Sequence, residues 1–120
     1  MANTAVWFDV PAKNLERAVG FYSSVLGCNI SIHEFPGGKI GVFPHEGTEV
    51  GGCIFQDENF KPSESGLLVY FNVQGRLAGA TQQAEANGGK IVIDNESIGE
   101  HGFRSVVIDS EGNKIALHSM

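Results

Sequence analysis

A chain of 120 residues favours one domain with a real hydrophobic core. Its net charge of -6 argues against a nucleic-acid partner, which would want a basic stripe. No apolar run is long enough for a bilayer span and the N-terminus lacks the pattern of a secretory signal, so the expectation is a cytoplasmic protein without a membrane partner. In that compartment Cys28 and Cys53 are expected as free thiols. The 16 glycines lie between apolar runs and imply many turns rather than disorder.

The first predicted element is a strand. In AVWFDVPA, Val6, Phe8 and Val10 alternate with Trp7 and Asp9, and Pro11 ends the run. NLERAVGFYSSVLG has helical spacing over 14–27. Asn14 suits the N-cap, Leu15, Ala18, Val19, Tyr22, Val25 and Leu26 form one stripe, and Gly27 is the stop. Three strands follow in NISIHEF, KIGVFP and VGGCIFQ, parted by PGG and HEGT turns. The polar stretch Asp57–Ser65 reads as a linker. GLLVYFNV is a fifth strand, and RLAGATQQAEANGG a second helix over 76–88. KIVIDN, FRSVVID and NKIALHS are the last three strands.

The order β-α-β-β-β therefore occurs twice within a single domain spanning 1–120. Module one covers about 4–56, the linker 57–65, and module two about 66–119. The phrases EGTEVGGC (46–53) and EGNKIALH (111–118) close the two modules in the same register. The predicted fold is α+β: two tandem modules forming a cupped mixed sheet, with helices on the outer faces. Alternation puts Trp7, Asp9, Gly51, Cys53, Leu68, Tyr70, Ala116 and His118 on the concave face. It puts Val6, Phe8, Val10, Val50, Gly52, Ile54, Leu67, Val69, Phe71, Ile115 and Leu117 under the helices.

A concave face of aromatic, small and a few polar groups suits a small ligand. Trp7, Asp9, Cys53, Tyr70, Asn72 and His118 are the candidate ligand-binding residues. Asp9 reads either as a ligand-binding acid or as a structural partner of Arg104 or Lys114. Tyr70 and Asn72 either orient a polar ligand or satisfy each other. Module two carries about four extra residues, and they fall in NESIGEHGF. Glu100 and His101 thus sit on a glycine-flanked loop that could act as a lid, which makes them the candidate catalytic pair. His33 and His45 read as surface histidines. Exposed sheet edges lead to the expectation of a homodimer.

The paired modules, the helix signature Asn14–Gly27 and the terminal hairpin DSEGNKIAL (Asp109–Leu117) resemble the vicinal oxygen chelate superfamily of glyoxalase I, bleomycin resistance proteins and extradiol dioxygenases. The resemblance covers nearly the whole chain. It implies a divalent metal held by four inward side chains, usually His, Glu or Gln. The matching positions are Trp7, Gly51, Leu68 and Ala116, and none offers a ligand atom. The expectation is therefore no metal at these positions and no cofactor. The leading reading is a protein that binds a small organic molecule in its cup. The alternative is a glyoxalase-like lyase or isomerase, related to lactoylglutathione lyase, using Glu100, His101 or Asp9 with a non-standard metal or none. A third reading is a structural module without a ligand.

Overall fold

Two β-α-β-β-β units follow one another in the structure, a computed structural model that describes residues 3–120. Module one consists of β1 (Trp7–Pro11), α1 (Leu15–Leu26), β2 (Ser31–Phe35), β3 (Gly38–Val42) and β4 (Gly51–Phe55). Module two consists of β5 (Tyr70–Asn72), α2 (Leu77–Ala86), β6 (Lys90–Ser97), β7 (Phe103–Ile108) and β8 (Lys114–Ser119). A short 3-10 turn, Gly99–His101, separates β6 from β7. Each module makes a four-stranded mixed sheet, ordered β1-β4-β3-β2 and β5-β8-β7-β6. In each sheet the first and last strands of the module run parallel and the others pair as antiparallel neighbours. Among the described residues no helix is long and apolar enough to cross a membrane.

The helix signature acts as its residues require. Asn14 is extended, and its side chain accepts from the Arg17 amide. Gly27 ends α1 in the left-handed region at φ 63°, where a side chain would be strained. Leu15, Ala18, Phe21, Tyr22 and Val25 are buried on one side of α1. They meet Phe43, Ile54, Phe71, Val73 and Leu117, so one core serves both modules. At its centre Phe8, Tyr22, Phe43 and Phe71 pack with ring centroids 5.2–5.6 Å apart. Phe8 comes from β1 and Phe71 from β5. The two sheets are thus joined at this seam by side chains, whereas the strand order has no β1–β5 ladder.

Three positions differ from the alternation pattern. Val6 and Leu67, expected under the helices, are 76% and 97% exposed. Val50 is also exposed. Each precedes the first residue of its strand. The fifth strand is shorter than expected: its pairing with β8 begins where Ala116 N donates to Val69 O. Register also changes one equivalence. Trp7 stands opposite Gly51, and Tyr70, not Leu68, stands opposite Ala116.

Polar groups from module two hold both ends of α1. The Glu111 side chain is fully buried, and Oε1 accepts from the amides of Lys13 and Asn14 at 2.9 and 2.8 Å. Arg17 adds a forked pair to the same carboxylate, with Nε 2.7 Å from Oε2 and an NH2 group 2.9 Å from Oε1. At the other end the Arg76 guanidinium donates twice to Val25 O. Next to Glu111, Asp109 Oδ1 accepts three amides of its own turn, from Glu111, Gly112 and Asn113. Its Oδ2 accepts the buried Tyr22 phenol and Asn113 Nδ2, which also donates to Pro11 O. Burial pushes the Tyr22 phenol well above its ordinary pKa, and the Asp109 charge adds to this, so the phenol stays a donor.

Burial alone would raise the pKa of Glu111. The hydrogen bonds from Arg17, the Asn14 amide and Ser110 outweigh it and hold the carboxyl below its ordinary value. A carboxyl depressed in the folded state adds stability that is complete above its unfolded pKa and drains away as pH falls through the folded one. Glu111→Ala is expected to cost roughly 2 kcal/mol in urea unfolding at neutral pH, the scale of leaving buried amide donors without an acceptor, since the half-exposed Arg17 can be hydrated. Glu111→Gln should flatten the loss of stability between about pH 5 and pH 3 relative to the parent chain. An unchanged acid slope would contradict the assignment.

Candidate functional site

Module one contributes an indole lying on small residues. Strand pairing sets Trp7 opposite Gly51 and Asp9 opposite Cys53. A Cβ added to Gly51 would stand 2.8 Å from the indole, so the ring needs glycine beneath it. On the opposite face Phe8 covers Gly52 in the same way, with 2.6 Å from the built Cβ to the ring. Trp7 Nε1 donates to Asp9 Oδ1 at 2.8 Å, and the Cys53 thiol donates to the same oxygen at 3.2 Å. Asp9 is therefore engaged within its own sheet. Arg104, one of its two expected partners, pairs with Glu96 instead. Among the described residues Lys114 makes no ion pair with Asp9. His45 stands edge-on to Trp7 at 5.6 Å, and its Nδ1 lies 3.1 Å from Phe43 O. Burial, with the hydrogen bond and charge of Asp9 adding to it, pushes the Cys53 thiol up to about 12.

Module two contributes a row of polar side chains across its sheet. Asn72 pairs with His118, His118 with Arg104, and Arg104 with Glu96, one residue from each strand. Arg104 Nε donates to Glu96 Oε1 at 2.9 Å, and Nη1 donates to the Tyr70 hydroxyl at 2.7 Å. Tyr70 and Asn72 do not satisfy each other, since Asn72 Oδ1 takes the Gln74 amide. His118 Nε2 lies 2.6 Å from the carbonyl oxygen of His101, which fixes that nitrogen as the donor. The 99–101 turn thus touches the concave face through its backbone. The side chains of Glu100 and His101 are 88% and 78% exposed and lie 3.7 Å from each other.

A groove of about 740 Å³ runs between β1 and β5, lined mainly by apolar groups, with Trp7, Phe8, Leu68, Tyr70, Phe71 and Asn72 along it. A smaller opening of about 460 Å³ is lined by Tyr70, Ile98, His101 and His118. Three of the candidate residues, Trp7, Tyr70 and Asn72, therefore share one groove. His118 and His101 reach the neighbouring opening through Tyr70, whereas Cys53 lies buried behind Asp9. Glu100 lines neither space.

A divalent metal of the four-ligand kind does not fit this face. The register makes Trp7, Gly51, Tyr70 and Ala116 the four equivalent positions, and the indole occupies the space above Gly51. Among the described residues no three His, Cys, Asp or Glu side chains converge. His118 and Cys53 belong to different sheets, each with its own partner. Sequence reasoning left out Glu96, read His45 as a surface histidine, and considered Arg104 only as a partner for Asp9. Strand parity carried the signal for Arg104, because the β7–β8 hairpin sets it directly opposite His118.

Comparison with known proteins accords with this architecture. The sequence model of the Glyoxalase/Bleomycin resistance protein/Dioxygenase superfamily matches residues 4–117, and the chain belongs to that family. A search of curated protein sequences gives no match. Among solved structures, a glyoxalase/bleomycin resistance protein from Albidiferax ferrireducens is 17% identical. The match covers 98% of this chain and 99% of the other, with a TM-score of 0.76. A glyoxalase-related enzyme from Fulvimarina pelagi is 16% identical over 98% of this chain and 88% of its own, with a TM-score of 0.74. The genomically encoded fosfomycin resistance protein FosX from Listeria monocytogenes is 16% identical over 100% of this chain and 93% of its own, at 0.71. At these identities the structures share the fold.

Cys53 should behave as an unreactive thiol. An ultraviolet titration of the folded protein, with Cys28→Ser as background, is expected to show no thiolate below pH 10 or so. Rapid alkylation of Cys53 at pH 8 in the native state would contradict this.

Proposed function

We propose that this chain binds a small planar organic molecule in the groove between β1 and β5, against Trp7 and Tyr70. The observation that carries the reading is that both rings line one apolar groove while each remains nearly half exposed, at 44% and 46%. A half-exposed aromatic pair in a cleft leaves ring faces for a ligand to cover. Asp9 holds the indole through Nε1, and Cys53 supports Asp9 from below. Asn72 and His118 supply the polar margin on the module-two side. Of the expected catalytic pair, both side chains are largely exposed; His101 lines the opening beside Tyr70 and His118, and Glu100 lines neither space.

Trp7 is the single tryptophan, so its emission reports on the groove. Titration with naphthylmethanol is expected to quench it saturably. Tyr70→Ala should weaken binding about tenfold, the scale of one aromatic contact. Asp9→Ala should diminish the fluorescence response without unfolding the protein. Absence of both quenching and binding heat would leave the structural reading.

We also propose a homodimer. Val6 and Leu67 stay exposed beside the seam. A second copy would cover this apolar surface and the bare edges of β1 and β5. Sedimentation equilibrium is expected to give twice the chain mass at micromolar concentration. A monomer at every accessible concentration would refute it.

A further inference from the structure

The polar row of module two has a direction. Glu96 takes the Nε edge of Arg104, and the Tyr70 oxygen takes one hydrogen of Nη1. A guanidinium carries five N–H donors in a rigid fork. Among the described residues no acceptor takes the remaining ones, and the Arg104 side chain is 23% exposed, so the group is still reachable. The Tyr70 oxygen is occupied as an acceptor by Arg104, which leaves its own hydrogen free to be donated. Tyr70 lines both the apolar groove and the adjacent opening, and it lies edge-on to His118 at 6.3 Å. Arg104 lines neither space itself; its guanidinium, oriented by Glu96, stands beside the hydroxyl of Tyr70, which lines both. Asp9, the acidic group on the facing module, lies across the seam and spends one oxygen on Trp7 and Cys53.

We propose that the ligand of this groove is a planar aromatic or conjugated acid, its carboxylate received by the free edge of Arg104 and the Tyr70 hydroxyl while its ring lies against Trp7. This rests on the groove reading above and adds the chemical class of the ligand. A carboxylate matches the fork of a guanidinium in spacing and charge, whereas an alcohol of the same shape forms at most one ordinary hydrogen bond there. Glu96 does not cancel the interaction, because it occupies the Nε edge and leaves the outer edge to the ligand.

Calorimetric titration of naphthoate against naphthylmethanol tests the proposal. Naphthoate is expected to bind about tenfold more tightly, the scale of a charge-assisted hydrogen bond over a neutral one. Arg104→Gln should erase that difference, and Tyr70→Phe should reduce it, with thermal unfolding measured on both to confirm that they fold. Should Arg104→Gln fail to fold, Arg104→Lys, which keeps charge but loses the fork, is expected to retain only part of the preference. Equal binding of acid and alcohol to the parent chain would overturn the ligand class alone. So would a preference that survives in both a folded Arg104 variant and Tyr70→Phe. Binding of neither compound would overturn the groove reading together with it.

Discussion

Helix α1 is held at both ends by charged side chains that belong to the other module. Glu111 meets the N-terminal amides and Arg76 the C-terminal carbonyl of Val25. The signs match the helix dipole, negative at the start and positive at the end. The amide donors and carbonyl acceptors at helix ends are the groups a helix cannot satisfy itself. Here their partners come from residues more than fifty positions away in the chain. Docking of module two is thereby coupled to completion of α1, and the aromatic cluster around Tyr22 closes only when both are in place. The two sheets need no ladder between β1 and β5, because this clamp and the Phe8–Phe71 contact fix their relation.

The arrangement is asymmetric despite the repeated phrase. Glu46 is the counterpart of Glu111, yet Glu46 is exposed, and its amide donates to Glu49 within its own turn. Helix α2 correspondingly has no side-chain N-cap. The first residue of α2's entry, Arg76, is instead committed to the end of α1. Similar hairpin sequences therefore perform different work: one seals the joint between modules, and the other remains a surface turn beside Trp7.

Periodicity made the architecture legible. Alternation in AVWFDVPA and the helical stripe of Asn14–Gly27 gave the elements, and the equal order of the two halves gave the modules. The concave placement of Trp7, Asp9, Tyr70 and His118 follows from the same parity, and the ladders agree with it. Ends of strands were less legible. Val6 and Leu67 continue the alternation in sequence but precede the first ladder pair of their strands and are exposed. Side-chain partners were least legible. Whether Arg104 would reach Asp9 or Glu96 depends on which sheets share a surface, and no local pattern encodes that. Nothing local marks Glu111 as a clamp, since its partners at Lys13, Asn14 and Arg17 lie almost the whole chain away.

The glycines under Trp7 and Phe8 have a consequence for how such a site can change through time. Gly51 and Gly52 are consecutive, and each lies beneath an aromatic ring of β1, one ring on each face of the sheet. A donor side chain at position 51 and an indole at position 7 compete for the same volume. Descent from or toward a chain with a carboxylate at 51 therefore passes through two coupled replacements. Taken singly, one order leaves a void above the strand and the other drives a side chain into a ring. The pair forms a ratchet: once the indole has settled on glycine, a carboxylate at position 51 is no longer one substitution away.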